Sequence, residues 1–566
     1  VLTYDPATAG NSPCGGGCKE MILRSSHKAL SVLGALVIAG SAWAQSGSGT
    51  LLKRYDGGGE YEGEFRDGKQ HGIGTFRLPN GYEYTGAWVD GEIQGIGVAR
   101  FPNGSVYEGG FVRGKPEGNG RILFADGSTY EGEWLDGRIE GTGRVEYTDG
   151  SVYQGGFQNA LHHGQGRMER LDGYVYDGQW RDGAQHGTAR ITYADGAVYQ
   201  GGLVNGLRSG MGRLTLEDGL EYDGEWADGQ INGVGRLIQP NGDTYEGAFI
   251  NGERHGAGRE TYANGDIYTG DFRNDLRHGN GSFTEHTGLS YIGEWNAGNF
   301  EGQGKLRYPD SSVYEGMFRN HRPEGPGKMI YSDGAVYEGG FLNGVPGGYG
   351  RISYPNGSVY EGRWAGGLFT DMGTLTDPDG NSYTGEWRGG RRHGTGKATY
   401  ADGTVYEGGF RDNKRHGMGV LLYPDGSVYE GEWSNGSFGG TGTLTRVDGG
   451  SYLGGWKQGK RSGHGKATYT DGSVYEGDFL NDRHHGQGTL TKSGGPSYTG
   501  MWQDGKLHGP SRVIFANGDI YEGNFVNGKP EGEGRMVYAD GESRPETGTD
   551  GGSAPDGGRV PAPDSD

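Results

Sequence analysis

Pairs of carboxylates two residues apart recur along this chain, at Glu62/Glu64, Glu131/Glu133, Asp223/Glu225, Glu430/Glu432 and Glu476/Asp478. On an extended strand such a pair shares one face, with Cα atoms roughly 6.5 to 7 Å apart. That separation overlaps the spacing of the two acids in an inverting glycosidase. Acid–base work also needs one carboxyl held protonated in a cleft, and a motif repeated on a charged strand face offers no cleft, so the pairs are read as solvated surface. Histidine recurs as well, at His71, His163, His186, His255, His278, His393, His416, His485 and His508, each directly before a glycine. If the repeats stack as hairpins, equivalent histidines lie roughly 9 to 10 Å apart, too far to share one ion. They are assigned to loop edges and not to a metal ladder. The chain has no G-x-x-x-x-G-K-[ST], no H-E-x-x-H and no G-x-S-x-G, so the phosphate-loop, zinc-protease and serine-hydrolase chemistries lack their residues. The reading is no enzyme, no metal and no cofactor.

The remaining candidates are aromatic. A Tyr stands every 23 residues from Tyr61 to Tyr521, at twenty-one positions without an insertion. Gly follows two residues later each time, and a Phe or Trp four residues later in every unit except the one with Leu203. Gly recurs at offset eleven, except at Asp371, and at offset thirteen, except at Ala189 and Ser511. A strict period in this range means a stacked repeat array. Rings that could serve as a binding face are Tyr84, Trp88, Tyr130, Trp134, Tyr176, Trp180, Tyr222, Trp226, Tyr291, Trp295, Tyr360, Trp364, Tyr429, Trp433, Tyr498 and Trp502. Two readings stay open for them: packing on glycines as the only core a one-layer sheet can have, or a long groove for a peptide, helix or glycan.

The elements that position these residues are short strands. In "SVYEGEW" (427–433) Tyr, Gly and Trp alternate with Val and Glu, and "GRILFADG" (120–127) alternates likewise, the period-two pattern of a strand. Asn-Gly or Asp-Gly, as at Asn80-Gly81 and Asp126-Gly127, separates one unit from the next and predicts a type I′ hairpin with positive φ at both residues. Within a unit, "DGKQHG" (67–72) is expected to be a looser connection. With 124 glycines no helix is expected in the array. Low hydrophobic content, 32%, could equally mean disorder, but 36 Tyr, 18 Phe and 11 Trp are too many for a disordered tract. A net charge of −21 argues against nucleic acid and against adhesion to anionic lipid.

This pattern, Y-x-G-x-[FW]-x-x-G-x-x-x-G-x-G, resembles the MORN repeat family; "YEGEFRDGKQHGIG" (61–74) and "YEGEWLDGRIEGTG" (130–143) match every specified position. The resemblance implies an all-β, elongated, single-layer antiparallel β-hairpin meander, twisted or curved. It also implies a role as a binding or scaffolding platform for a protein or peptide, with pairing of two chains as a further option. The family's association with membranes makes a lipid-headgroup module the alternative. A phosphatidylinositol-phosphate kinase label would reflect repeat similarity only, because no kinase motif accompanies the repeats.

The ends are assigned as follows. Residues 1–20 read as an over-extended start, and hold the only cysteines, Cys14 and Cys18. Residues 21–44 read as a signal peptide, with basic Arg24 and Lys28, an apolar run from Ala29 and Ala42-Trp43-Ala44 before Gln45. Export by the general secretory route, to the periplasm or outside the cell, is expected. Residues 45–58 are a linker and half-repeat cap, 59–541 the array, and 542–566 a disordered acidic Pro/Gly-rich tail, with Pro545 expected to stop the ladder.

Overall fold

A computed structural model describes residues 50–548; residues 1–49 and 549–566, with the signal-peptide segment, both cysteines and most of the acidic tail, lie outside the described residues. These residues form forty-five strands and no helix. They divide into two compact units, residues 50–287 with 294–298, and residues 288–293 with 299–548. In each unit consecutive strands pair antiparallel in an open single-layer meander. In the first, β1 (Leu51–Arg54), β2 (Glu60–Arg66), β3 (Lys69–Arg77), β4 (Glu83–Val89) and β5 (Glu92–Arg100) pair in chain order.

Each repeat but the last contributes a seven-residue leading strand, which carries Tyr, Gly and the second ring or its Leu203 substitute, and a nine-residue return strand; in the last the return strand is split into Lys529–Pro530 and Gly532–Val537. The two kinds of turn are the reverse of the sequence expectation. The tight type I′ turn lies inside the repeat, where Asp67 (φ 48°) and Gly68 (φ 76°) both take the left-handed region between paired Arg66 and Lys69. Between repeats only the glycine is left-handed, as at Gly81 (φ 89°). There Gly81 N donates to Leu78 O at 3.0 Å and Leu78 N to Tyr82 O at 2.8 Å, a type I turn followed by a left-handed glycine. The Asn80 side chain fixes it by accepting from Tyr82 N at 3.0 Å, the reason Asp or Asn precedes that glycine.

Offset eleven is explained by a bulge. Gly63 faces Gly74, but Phe65 faces Gln70, so the return strand carries two extra residues between those pairs. The chain absorbs them by turning left-handed at Gly72 (φ 67°), and Asp371 takes the same conformation (φ 50°) in the one unit without glycine there. Asp371 pairs with Trp387 just as Gly72 pairs with Trp88. The departure therefore keeps the common backbone, as does Ser311 (φ 75°) in its inter-repeat turn.

The ladder reaches beyond residue 541. A strand, Ser543–Gly548, pairs with residues 532–537, and Pro545 stands opposite Arg535. An outermost strand tolerates proline because one of its sides needs no donor. At the other end, Gly58 N donates to Tyr55 O at 2.9 Å with Gly58 left-handed (φ 79°), the inter-repeat turn of a half-unit.

Candidate functional site

The aromatic rows are the core. All twenty-one repeat tyrosines are buried, from 0% exposed at Tyr61 to 7% at Tyr521. Most meet their own second ring and that of the following repeat edge to face: Tyr84 lies 5.6 Å from Trp88 and 5.0 Å from Phe111, contacts worth about 0.5–1.5 kcal/mol each beyond burial. The tyrosine ring occupies the space a side chain at offset thirteen would need, since a Cβ added to Gly97 would lie 2.4 Å from the Tyr84 hydroxyl. That hydroxyl donates to Ala87 O at 3.0 Å, and Trp88 Nε1 donates to Gly74 O at 3.3 Å. Ser511 replaces the offset-thirteen glycine beneath Tyr498, which is 6% exposed.

The sixteen rings proposed as a binding face are therefore packed inside: Tyr84, Tyr130, Tyr176, Tyr222, Tyr291, Tyr360, Tyr429 and Tyr498 lie under Trp88, Trp134, Trp180, Trp226, Trp295, Trp364, Trp433 and Trp502, none more than 8% exposed. Of the two readings the sequence left open, burial corresponds to packing. A row the sequence did not single out, at offset nine, covers the tyrosines. Phe300, Phe369 and Phe438 stack on Tyr291, Tyr360 and Tyr429 at 3.7–3.8 Å, His162 and His484 on Tyr153 and Tyr475 at 3.7 and 3.5 Å. Arginines take this place elsewhere, as Arg415 lies 5.6 Å from the Tyr406 ring and 4.1 Å over Trp433. The signal was available as the 23-residue recurrence of bulky side chains two residues before the offset-eleven glycine, inside the segment read as loose.

The histidines before that glycine differ: Nδ1 of His163, His186, His416 and His485 is buried without a hydrogen-bond partner among the described residues, whereas His71 reaches the next turn. His71 Nδ1 accepts from Asp90 N at 3.4 Å, in the type I′ turn of the next repeat. Where glutamate replaces histidine the bond is shorter: Glu117 accepts from Asp136 N at 2.8 Å and Glu324 from Asn343 N at 2.9 Å. At His71, Glu117 and Glu324 the loop edge is a turn clamp between repeats. Among the described residues no three His, Cys, Asp or Glu side chains gather to hold a metal ion.

The opposite face carries the carboxylate pairs, whose two members do different work. The first faces a cation across the ladder in most pairs, as Glu476 faces Lys466 at 3.2 Å and Asp223 stands opposite Arg213. The second caps the bulge. Glu133 accepts from Thr142 N at 3.1 Å and from its hydroxyl, and Glu432 accepts from Thr441 N at 3.1 Å and Oγ1 at 2.9 Å. These bonds, from the Thr142 hydroxyl at Glu133 and the Thr441 amide at Glu432, hold both carboxyls below the usual range. That is the opposite of the protonated acid glycoside cleavage would use. The same face exposes apolar side chains in the bulge, including Met211, Val234, Tyr349, Met372 and Met418. None of the described helices is long and apolar enough to cross a membrane, there being no helix.

Fold and face together define a β-hairpin repeat protein, with an aromatic core on one side of the sheet and a charged, partly apolar surface on the other. The chain belongs to the MORN repeat family, which matches it at twenty-one segments from 61–81 to 521–543. No curated protein matches the chain. Among solved structures, the TCP domain of SAS-4 (dCPAP) from Drosophila melanogaster, in complex with a proline-rich motif of Ana2, is similar at 15% identity, covering 31% of this chain and 90% of that one, with a TM-score of 0.20. The TCP10 domain of Danio rerio CPAP is similar at 15% identity over 55% of this chain and 99% of that one, with a TM-score of 0.12. A streptogramin B lyase is similar at 16% identity over 52% and 90%, with a TM-score of 0.10.

Proposed function

We propose that this chain is an exported, non-enzymatic scaffold that binds protein or peptide partners on the sheet face opposite its aromatic core. The observation that carries this reading is the division of labour between faces: the rings are spent on the core, while the other face presents regularly spaced charged pairs with exposed apolar side chains between them. Many equivalent positions on one ladder suit binding by avidity. Export rests on the signal-peptide pattern of residues 21–44.

Crosslinking in intact cells, followed by mass spectrometry, tests the scaffold. Adducts between a second protein and outward-facing residues are expected; recovery of self-adducts alone would replace partner binding with self-assembly. Sequencing the mature N-terminus tests export, with Gln45 as the expected first residue and an intact residue 21 as the result against it.

A further inference from the structure

One return strand presents only apolar side chains at three successive outward positions. At offset fourteen most return strands carry Arg or Lys, such as Arg236, Arg259, Lys305 and Lys466, and these face the first carboxylate of the neighbouring leading strands. The return strand Lys414–Leu422 instead carries Val420. Its outward side chains are Met418, Val420 and Leu422, 64%, 38% and 43% exposed. Three consecutive outward positions are thus apolar, where every other return strand carries at least one polar or charged side chain at these offsets.

The carboxylate left without a cation is Glu430. It faces Val420 on one side and Thr443 on the other, is exposed, and makes no ion pair among the described residues. Glu407, by contrast, faces Lys397 on its far side. Beyond β2, every other acidic residue at this repeat position faces an Arg or Lys on at least one flanking strand. The apolar strip and this carboxylate line one open groove of about 900 Å³, which begins at Met372 and ends at Glu430. Those two residues lie on the first and last of six adjacent strands, about 24 Å apart at ordinary strand spacing.

We propose that this groove is a docking site for a peptide segment of a partner protein that carries apolar side chains together with a Lys or Arg. The partner's apolar side chains cover Met372, Met418, Val420 and Leu422, and its cation lies against Glu430, filling the place that Arg or Lys holds in other repeats. Charge complementarity selects a basic segment over an acidic one, because the groove supplies an uncompensated carboxylate and the chain carries a net charge of −21. The strands lining the groove are paired on both sides, so recognition falls to side chains and not to strand addition. This inference rests on the scaffold reading and gives it an address.

The test uses the chain and a fluorescein-labelled Leu/Lys peptide of sixteen residues, with a Leu/Glu peptide of the same pattern as control, followed by anisotropy. Val420→Arg restores the residue type found at Arg236 and Arg259, so the variant is compatible with the fold; Glu430→Lys reverses the free charge. Each is expected to weaken Leu/Lys binding at least tenfold, while Thr188→Arg, which adds the same charge on the same face in the other unit, changes it less than twofold. Equal loss in all three variants, no loss in any, equal affinity for the Leu/Glu peptide, or no binding by the natural chain would each overturn the proposal. So would a dimer in sedimentation that Val420→Arg dissociates, since a second copy would then be the occupant. Cell crosslinking of Val420→Arg separates the two readings: partners retained by the variant sink the groove and leave the scaffold standing, whereas no partner on either chain sinks the scaffold itself.

Discussion

The repeats that begin at Tyr153 and at Tyr245, both in the first unit, share one backbone but place a polar side chain over the tyrosine in opposite ways. In the first, His162 is 3% exposed, stacks on Tyr153, lies 4.8 Å from the Trp180 ring and shares a hydrogen with Tyr147 Oη at 2.8 Å. Burial pushes its pKa down to about 4, so it sits there neutral. In the second, Arg254 stays charged and bonds Glu260 at 2.5 Å and Asp275 at 3.2 Å, while Arg277 of the next repeat lies 3.6 Å from Glu260. Glu260 is 7% exposed, at the position that Val145, Ile191 and Leu237 fill elsewhere. A thin core therefore accepts a polar group either by discharging it or by pairing it. The first solution is vulnerable to protons and the second to loss of a partner.

The largest effect should come from breaking the pairing. Glu260→Ala leaves two guanidinium groups over aromatic rings without their shared carboxylate, a loss of about 3–5 kcal/mol for a buried pair. Because repeat arrays lose structure locally, hydrogen exchange is the readout: protection should fall in the strands Glu253–Thr261 and Ile267–Arg273 and stay unchanged around His162. Replacing Arg254, Glu260 and Arg277 together by Leu should restore most of that protection, since the one charge left, on Asp275, is part-exposed and keeps the residue-254 amide as a donor. Unchanged protection in Glu260→Ala would show that the cluster holds nothing.

Next in size is the response to acid. His162 has a folded-state pKa of about 4 against an ordinary value of 6.5, so between those values the unfolded chain binds more protons than the folded one. Stability is then complete above about pH 6.5 and is lost as pH falls towards 4, by about 3 kcal/mol at most for a shift of this size. His484 follows the same course in the second unit, driven by burial and then by Arg461, to a pKa of about 3. His162→Phe puts there the residue that stacks on Tyr360 and Tyr429. Exchange in the strand Leu161–Glu169 should then lose its acid sensitivity between pH 6.5 and 4 while staying close to natural at pH 7.5. An acid limb of the same depth in the variant would place the titrating group elsewhere.

Much of this architecture was legible in the sequence because it depends on backbone geometry repeated without slippage. The period, the two strands per unit and the glycine beneath each tyrosine follow from alternation and from the absence of insertions between Tyr61 and Tyr521. The turns were exchanged because Asp-Gly and Asn-Gly occur at both: Asp67-Gly68 and Asn80-Gly81 look alike as dipeptides, and only the pairing register puts two left-handed residues at the first and one at the second. The roles of Glu432 and His71 were not legible, since each bonds an amide that the bulge or the next repeat's turn brings to it. The free carboxylate at Glu430 became visible only once the register set Val420 and Thr443 on either side of it.

The smallest effects test whether the two polar solutions differ in kind. Tyr147→Phe removes a bond to a neutral ring, and Tyr262→Phe removes a hydroxyl that bonds both Glu260 and Arg277. A neutral hydrogen bond is worth about 1 kcal/mol and one to a charged group about 1.5–3 kcal/mol, so Tyr262→Phe should cost roughly twice as much in local exchange protection at pH 7.5. Tyr469→Phe, which removes the bond to His484 in the second unit, should match Tyr147→Phe, and the double variant should show the sum, because sites with no shared partner do not couple. Equal costs at Tyr147 and Tyr262 would mean that water already screens the Glu260 cluster, and the contrast between a discharged and a paired core would collapse into a single, wetter environment.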